Sequence, residues 1–374
     1  MEVITQIQGL AVPLSVLEGD VLPSRMRYDG RLLDELIAAG EVVWQGRGAV
    51  GRDDGRIALF LRADAARLAA PPVDAPSSDL HRAIRAHLEG RGAVFVRDLV
   101  DACPGVPLDE VVDVLYDLVW AGEVSNDTLQ PLRFLGPVRR HPRRPLMRLV
   151  PPRAQGRWSL VARDGAAATE RALAIAQSLL QRHGILTREA VASESVAGGF
   201  AALYPVLRAM EESGRIRRGY FVEGCGAAQF ALPGAVDALR AQRAGGAGAS
   251  ILLAAVDPAN PFGAVLPWPA LAGRAARAAG ACVVLRDGEL RLYIERGGRS
   301  MLTAGQVGDE DIAALSTLTV RRGRLDIQTI DGEPAASHAI ATRLRAEGFV
   351  ASPRGLVVYP HRQPASHARA DARG

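Results

Sequence analysis

Every basic side chain in this 374-residue chain, 45 in all, is an arginine, and that removes several chemistries at once. Without lysine no ε-amine can form a Schiff base, and no phosphate-loop lysine can hold the β- and γ-phosphates of a nucleotide. The GxxxxGK[ST] pattern is absent, so this chain by itself is not a P-loop ATPase. Among the carboxylates Asp257 is the conspicuous candidate, in Asp257-Pro258-Ala259-Asn260 behind the apolar run ILLAAV. An acid at a strand end is well placed to activate a water, whereas Asp-Pro followed by Asn-Pro is equally a turn signature. Donors for a metal are badly spaced. The 7 histidines are scattered without an HxxxH or HExxH pattern, His81 and His87 do not share a helix face, and Cys103, Cys225 and Cys282 are odd in number and far apart. Neither a zinc site nor a disulfide framework has the spacing it needs, and no metal is expected.

Where the arginines gather says more than their total. The chain carries 45 basic against 41 acidic residues, a net charge of +4 and a pI of about 9.3, which is only mildly basic. Residues 136–157, GPVRRHPRRPLMRLVPPRAQGR, crowd Arg139, Arg140, Arg143, Arg144, Arg148, Arg153 and Arg157 into a proline-rich stretch that cannot hold a regular helix. Guanidinium forks match phosphate oxygens, so this stretch reads as a phosphate-contacting strap, with a stiff solvated linker as the alternative. A second group, Arg208, Arg215, Arg217, Arg218 and Tyr220, lies on or just after a helix read at 199–213. In a winged helix that element approaches the major groove, which would bring these side chains near a nucleic-acid backbone. An exposed, merely solvated arginine face is the alternative.

The elements that must position these residues follow a repeated plan. Phe200, Leu203, Tyr204, Leu207 and Met210 step by three and four as an amphipathic helix, Gly214 stops it, and two strand-like runs, 216–222 and 227–232, read as a hairpin. The same order, helix then glycine then apolar strand, recurs around Gly40, Gly122 and, more weakly, Gly348. These recurrences predict tandem winged helices. In the first copy, the turn-rich GRGAVGRDDG and a strand 56–62 follow the helix. In the second, a helix starting at Asp79 with the stripe Leu80, Ile84 and Leu88, a shorter one beginning at 95–100 and a third marked by Leu108, Val111, Val112, Leu115, Leu118 and Val119 precede a strand at 129–135. From Ser250 the period changes to short strands, with Asp287-Gly288 as a hairpin turn.

The fold expected is α+β: tandem winged-helix domains with a small β-barrel domain and a C-terminal α/β piece. The divisions are a partial winged helix at 1–72, a winged helix at 79–136, the basic proline-rich linker at 137–167 and a winged helix at 168–244. A barrel-like domain at 250–322, a strand-helix-strand at 323–360 and a disordered tail at 361–374 follow. A composition of 48% hydrophobic and 23% charged residues is that of a folded chain. No apolar run approaches the roughly 20 residues of a spanning helix, and Met1-EVITQIQG lacks signal-peptide regions, so no membrane partner and a cytoplasmic location are expected.

The order of parts resembles the C-terminal region of the Lhr (large helicase-related) family of superfamily 2 DNA helicases. The stretches that carry the resemblance are Gln8-GLAVPLSVLEGDVLPSRM, Leu33-DELIAAGEVVW, Gly184-ILTREAV, the segment from Gly198 to Arg240 and Val256-DPANPFGAVLPWP. It implies a DNA-binding module of a repair helicase without the ATPase motor, with ATP and magnesium used only in a motor upstream. Single-stranded or damaged duplex DNA, the helicase core and further copies of the chain are the implied partners.

The architecture is also similar to the AlkZ-containing family of DNA glycosylases, tandem winged helices beside a β-barrel. Those enzymes carry a Gln-x-Gln motif that positions the attacking water, and Gln6-Ile7-Gln8 sits at about the right place, ahead of a basic segment ending in Arg25. A neutral amide pair on one side of an extended chain can orient a water and support an oxocarbenium-like state while a flipped base rests between apolar walls. The functional alternatives are therefore a monofunctional uracil or alkylated-base glycosylase acting through Gln6, Gln8 or Asp257, and a winged-helix transcription regulator. Without lysine, a glycosylase here has no β-lyase step. Two surface glutamines are the plain alternative for the motif.

Overall fold

The computed structural model describes residues 1–72, 74–135, 150–162, 166–226, 228–243 and 248–360. The arginines at 139, 140, 143, 144 and 148 lie outside the described residues, as does the tail from 361. The chain divides into two compact units, one of Met1–Gly245 with Val256–Pro267, the other of Gly246–Ala255 with Trp268–Gly374.

The first unit is built from three winged-helix modules. In the first, α1 (Glu2–Ile7), β1 (Val12–Pro13), α2 (Leu14–Val16) and a wide π-helical turn, Leu17–Val21, lead to α3 (Gly30–Ala38). The long hairpin of β2 (Val42–Val50) and β3 (Asp54–Leu61) follows, then α4 (Arg62–Leu68), and the sheet order is β1-β3-β2. The lead-in helix is short, 6 residues. The second module has α5 (Asp79–Arg91), β4 (Val94–Phe95), α6 (Val96–Ala102), α7 (Leu108–Trp120) and β5 (Val124–Asn126). Residues 129–135, expected as its wing strand, instead form the short helix α8 (Gln130–Arg133), with Pro131 inside its first turn where proline is tolerated. The missing strand is β6 (Arg157–Leu160), which inserts between β4 and β5 and pairs Trp158 with Val94 and Asn126. Part of the supposed linker 137–167 thus completes this domain. Trp158 is fully buried there and packs edge-on against Tyr116.

The third module follows the expected plan. It has α9 (Ala168–His183), β7 (Ile185–Leu186), α10 (Arg188–Ser193), α11 (Gly199–Glu212), β8 (Arg217–Gly219), β9 (Gln229–Ala231) and α12 (Pro233–Arg243), with sheet order β7-β9-β8. Its core is the expected stripe: Leu203, Leu207 and Met210 of α11 with Leu179, Leu180 and Phe230. Gly214 ends α11 at φ +73°, a left-handed conformation costly for any residue with a Cβ. Gly40, Gly122 and Gly348 close their own helices in the same region.

In the second unit the expected barrel is an open six-stranded sheet. Its strands are β10 (Ile251–Ala254), β11 (Cys282–Arg286), β12 (Glu289–Ile294), β13 (Ser300–Thr303), β15 (Thr329–Ile330) and β16 (Glu333–Pro334), in the order β10-β11-β12-β13-β15-β16. Helices α13 (Asp309–Ala313), α14 (Ser316–Arg322) and α15 (Ala341–Ala346) supply Ile312, Leu318 and Leu344 to the same core as the sheet, with Leu315 between the first two, so its apolar face is covered without the strands closing on themselves. A smaller sheet, β14 (Leu325–Ile327), β18 (Gly355–Val358) and β17 (Val350–Ser352), in the order β14-β18-β17, shares that core. The expected domain 250–322 thus loses Val256–Pro267 to the first unit, and the rest of it shares one hydrophobic core with 323–360.

If Trp158 is a wing residue, Trp158→Ala leaves a large void under β4–β6 and lowers stability by about 3–5 kcal/mol. Phe134→Ala, in the exposed segment that the sequence suggests as the strand, changes it by within roughly 0.5 kcal/mol. Thermal and urea unfolding of both variants checks the assignment; equal losses would overturn it.

Candidate functional site

Gln6 lies in the last turn of α1 and Gln8 caps it, so the two amides are not on an extended chain. Residues two apart on a helix point to different sides. Gln6 is exposed and borders an open cleft of about 520 Å³ with Thr5, Arg25 and Gln181. Gln8 is only 5% exposed. Its Oε1 accepts from the Leu61 backbone N–H at 3.4 Å, which orients the amide, and its Nε2 donates to Asp64 Oδ2 at 3.3 Å. Gln8 borders two cavities. One is a cleft of about 460 Å³ flanked by α4 (Asp64, Arg67) and α9 (Gln177, Gln181), with Arg215 at the start of the wing. The other, about 190 Å³, has apolar walls from Phe60, Leu68, Ile175 and Leu179. Arg47 also borders it. Burial lowers the pKa of this guanidinium, which has no hydrogen-bond or ion-pair partner among the described residues.

The end of α1 is held by the third module. The last carbonyls of a helix lack partners within it. Here Arg182 of α9, whose side chain is 3% exposed, donates to Gln8 O at 2.5 Å and to Gln6 O at 3.3 Å, and Ser178 Oγ donates to Gln8 O at 3.1 Å. Arg182 is itself paired with Glu194, which also meets His183 Nε2 at 2.7 Å. Burial alone would raise the Glu194 carboxyl, but the His183 hydrogen bond and the Arg182 charge outweigh it and hold its pKa below the usual value.

Asp257 is completely buried, and Arg25 grips it with both terminal nitrogens at 2.5 and 2.6 Å. It also accepts from Ala259 N at 2.8 Å, while Asn260 N reaches Asp257 O at 3.0 Å, the Asx-turn geometry of the turn reading. The carboxylate therefore faces the protein and not the clefts beside Gln6 and Gln8, and Arg25 is occupied by it. Arg153 pairs with Asp109 and Asp113, Arg157 with Asp127, and Arg208 with Glu212 along α11. By contrast Arg215, Arg217 and Arg218 are exposed and have no such partner among the described residues, and Tyr220 beside them is 83% exposed. Gln229, fully buried beneath, fixes this wing: its Oε1 accepts from Phe221 N and Val222 N, both at 2.8 Å.

Sequence reasoning missed Asp64, Arg47, Arg182 and the Gln177–Gln181 pair. No motif or spacing in the sequence singles out Asp64, Gln177 or Gln181; only the packing of α4 near α9 makes them one lining.

Residues 1–62 and 165–250 match families described as "Large helicase-related protein, winged-helix domain", the third and fourth such domains respectively. Along 95% of its length the chain is 39% identical to "Lhr helicase/ probable uracil glycosylase" of Mycolicibacterium smegmatis and 37% identical to "Lhr helicase/uracil glycosylase" of Escherichia coli. It spans 26% of the length of each of these relatives. Among solved structures it is similar in fold to the Streptomyces sahachiroi DNA glycosylase AlkZ, with a TM-score of 0.52 and 16% identity over 88% of this chain and 98% of that one.

Because the Glu194 pKa is depressed on folding, its contribution to stability is fully present above about pH 4.3, the ordinary value, and is lost as the pH falls through the lower folded value. Glu194→Gln, which strands the buried Arg182 charge, is expected to cost about 3 kcal/mol at neutral pH. Denaturant titrations from pH 7 down to pH 3 should show the gap to the unaltered chain narrowing below about pH 4.3. A gap that stays constant would exclude this account.

Proposed function

The sequence places the chain with the large helicase-related (Lhr) family, as a counterpart of the region carrying its third and fourth winged-helix domains, and from that premise we propose that it is the DNA-gripping module of an Lhr repair helicase whose motor lies outside this chain. The observation that carries this reading is the wing of the third module. Arg215, Arg217 and Arg218 stand unpaired among the described residues on and beside the sheet's edge strand, next to an aromatic ring turned to solvent. Guanidinium groups serve phosphates and an exposed tyrosine serves an unstacked base, the combination suited to single-stranded or damaged DNA. Arg25, Arg153, Arg157 and Arg208 are consumed in ion pairs within the protein, whereas these three wing arginines are not. The stretch with Arg139, Arg140, Arg143 and Arg144 is assigned to the same partner as a backbone strap.

A second reading, removal of uracil from DNA, is favoured by a separate feature. Gln8 is a nearly buried amide fixed by backbone at the junction of a polar cleft and an apolar cavity, which suits a sugar-facing water on one side and a base on the other. The names of the two relatives agree with it.

Fluorescence anisotropy with a labelled single-stranded oligonucleotide tests the first reading. Arg217→Ser, Arg218→Ser and Tyr220→Ala together are expected to weaken binding at least about tenfold and to flatten the slope of log affinity against log salt by about 0.7 for each phosphate no longer neutralised. Unchanged affinity and slope would remove the wing from the interface. Uracil release followed by alkaline strand scission tests the second: the chain should cleave a uracil oligonucleotide, and Gln8→Ala should lose cleavage while keeping affinity. Binding without cleavage leaves only the gripping role.

A further inference from the structure

We propose that Asp64, and not Asp257, is the carboxylate that works with Gln8 in base removal; this rests on the second reading above. Three carboxylates line the clefts around the end of α1. Glu194 is consumed by Arg182 and His183, and Glu2 stands exposed in the first turn of its helix. Asp64 accepts a hydrogen bond from a glutamine amide, at 3.3 Å from Gln8 Nε2. It is half-buried on α4 and lines the 460 Å³ cleft.

The geometry suits the role. A carboxylate offers about four lone-pair positions, and Asp64 uses one for Gln8 and one for Arg67, whose guanidinium lies 3.0 Å from Oδ1. Positions remain for a water. Gln8 is fixed in turn by the Leu61 N–H, and its backbone carbonyl by Ser178 and Arg182, so the amide–carboxylate pair is anchored from both the first and third modules. At the rim Arg67 and Arg215 supply positive charge for the phosphates flanking the nucleotide, and Leu180 and Met210 give the cleft apolar wall.

The chemistry balances without a cofactor. Water oxygen forms the bond to C1′ of the deoxyribose as the C1′–N bond breaks, and the electron pair of that bond leaves with the base. The Asp64 carboxylate takes the water proton and returns it through solvent to the departing base anion, while its negative charge sits beside the oxocarbenium-like carbon at the transition state. Products are the abasic site and the free base.

The test is single-turnover release of uracil from a uracil-containing single-stranded oligonucleotide by the full 374-residue chain. Asp64→Asn should lose about 10²–10⁴-fold in rate, with thermal midpoint and oligonucleotide affinity held. Asp64→Ala should regain part of the rate on addition of sodium formate, which the unaltered chain should not; a merely structural aspartate gives no such rescue. Asp257→Asn should alter thermal stability before it alters the rate per folded molecule. Release by Asp64→Asn at the unaltered rate overturns the assignment alone. So does a slow Asp64→Ala that formate leaves unmoved. No release by the unaltered chain overturns the base-removal reading and this inference with it.

Discussion

The site depends on one buried guanidinium. Arg182 is nearly inaccessible, and a charge so placed is tolerable only if paired and fully hydrogen-bonded. Glu194 supplies the countercharge, and the carbonyls of Gln6 and Gln8 and the hydroxyl of Ser178 accept further donors. A six-residue helix has little stability of its own, so α1 stands because the third module closes its last turn. The position of Gln8, and through it the contact with Asp64, is therefore set by a residue more than 170 positions away in the chain.

The segment 256–267 applies the same logic elsewhere in this unit. Val265 packs on the core of the third module, Cys225 Sγ lies 3.9 Å from its carbonyl, and Asp257 holds Arg25 of the first module. A short, proline-rich piece thus ties two winged helices together. Asp257 invites a catalytic reading because an acid at a strand end is well placed to activate a water, but a carboxylate bound by a bidentate guanidinium and a backbone N–H, with no exposed surface, is what a tie between modules requires.

Legibility follows the range of the interactions. The third module is readable because its signals are local: the apolar stripe of α11, the stop at Gly214 and a hairpin within 20 residues. The wing of the second module is not, because β6 arrives after a stretch whose prolines and arginines say linker, and only burial of Trp158 between β4 and β5 reveals the pairing. Short alternating strands after Ser250 suggest a barrel because strand spacing does not say whether a sheet closes or is covered by helices; the apolar residues of α13 to α15 decide that. At the site, Gln6 and Gln8 are visible as a motif, yet their different surroundings depend on α1 being helical. Asp64 carries no signal, since its meaning comes entirely from tertiary packing.

An arginine-only chain also divides its cations between internal ties and an exposed face. Guanidinium groups stay charged and pair in fixed planes, so those at 25, 133, 153 and 182 work as internal ties to Asp257, to Glu18 and Asp34, to Asp109 and Asp113, and to Glu194. What is left unpaired on the third module's wing is then available to a polyanion without loosening the fold. The cleft at Gln8 draws on Arg215 at the near end of that same wing. On the proposed reading, a backbone held at Arg217 and Arg218 and a nucleotide held at Gln8 and Asp64 would both be served by the same unit.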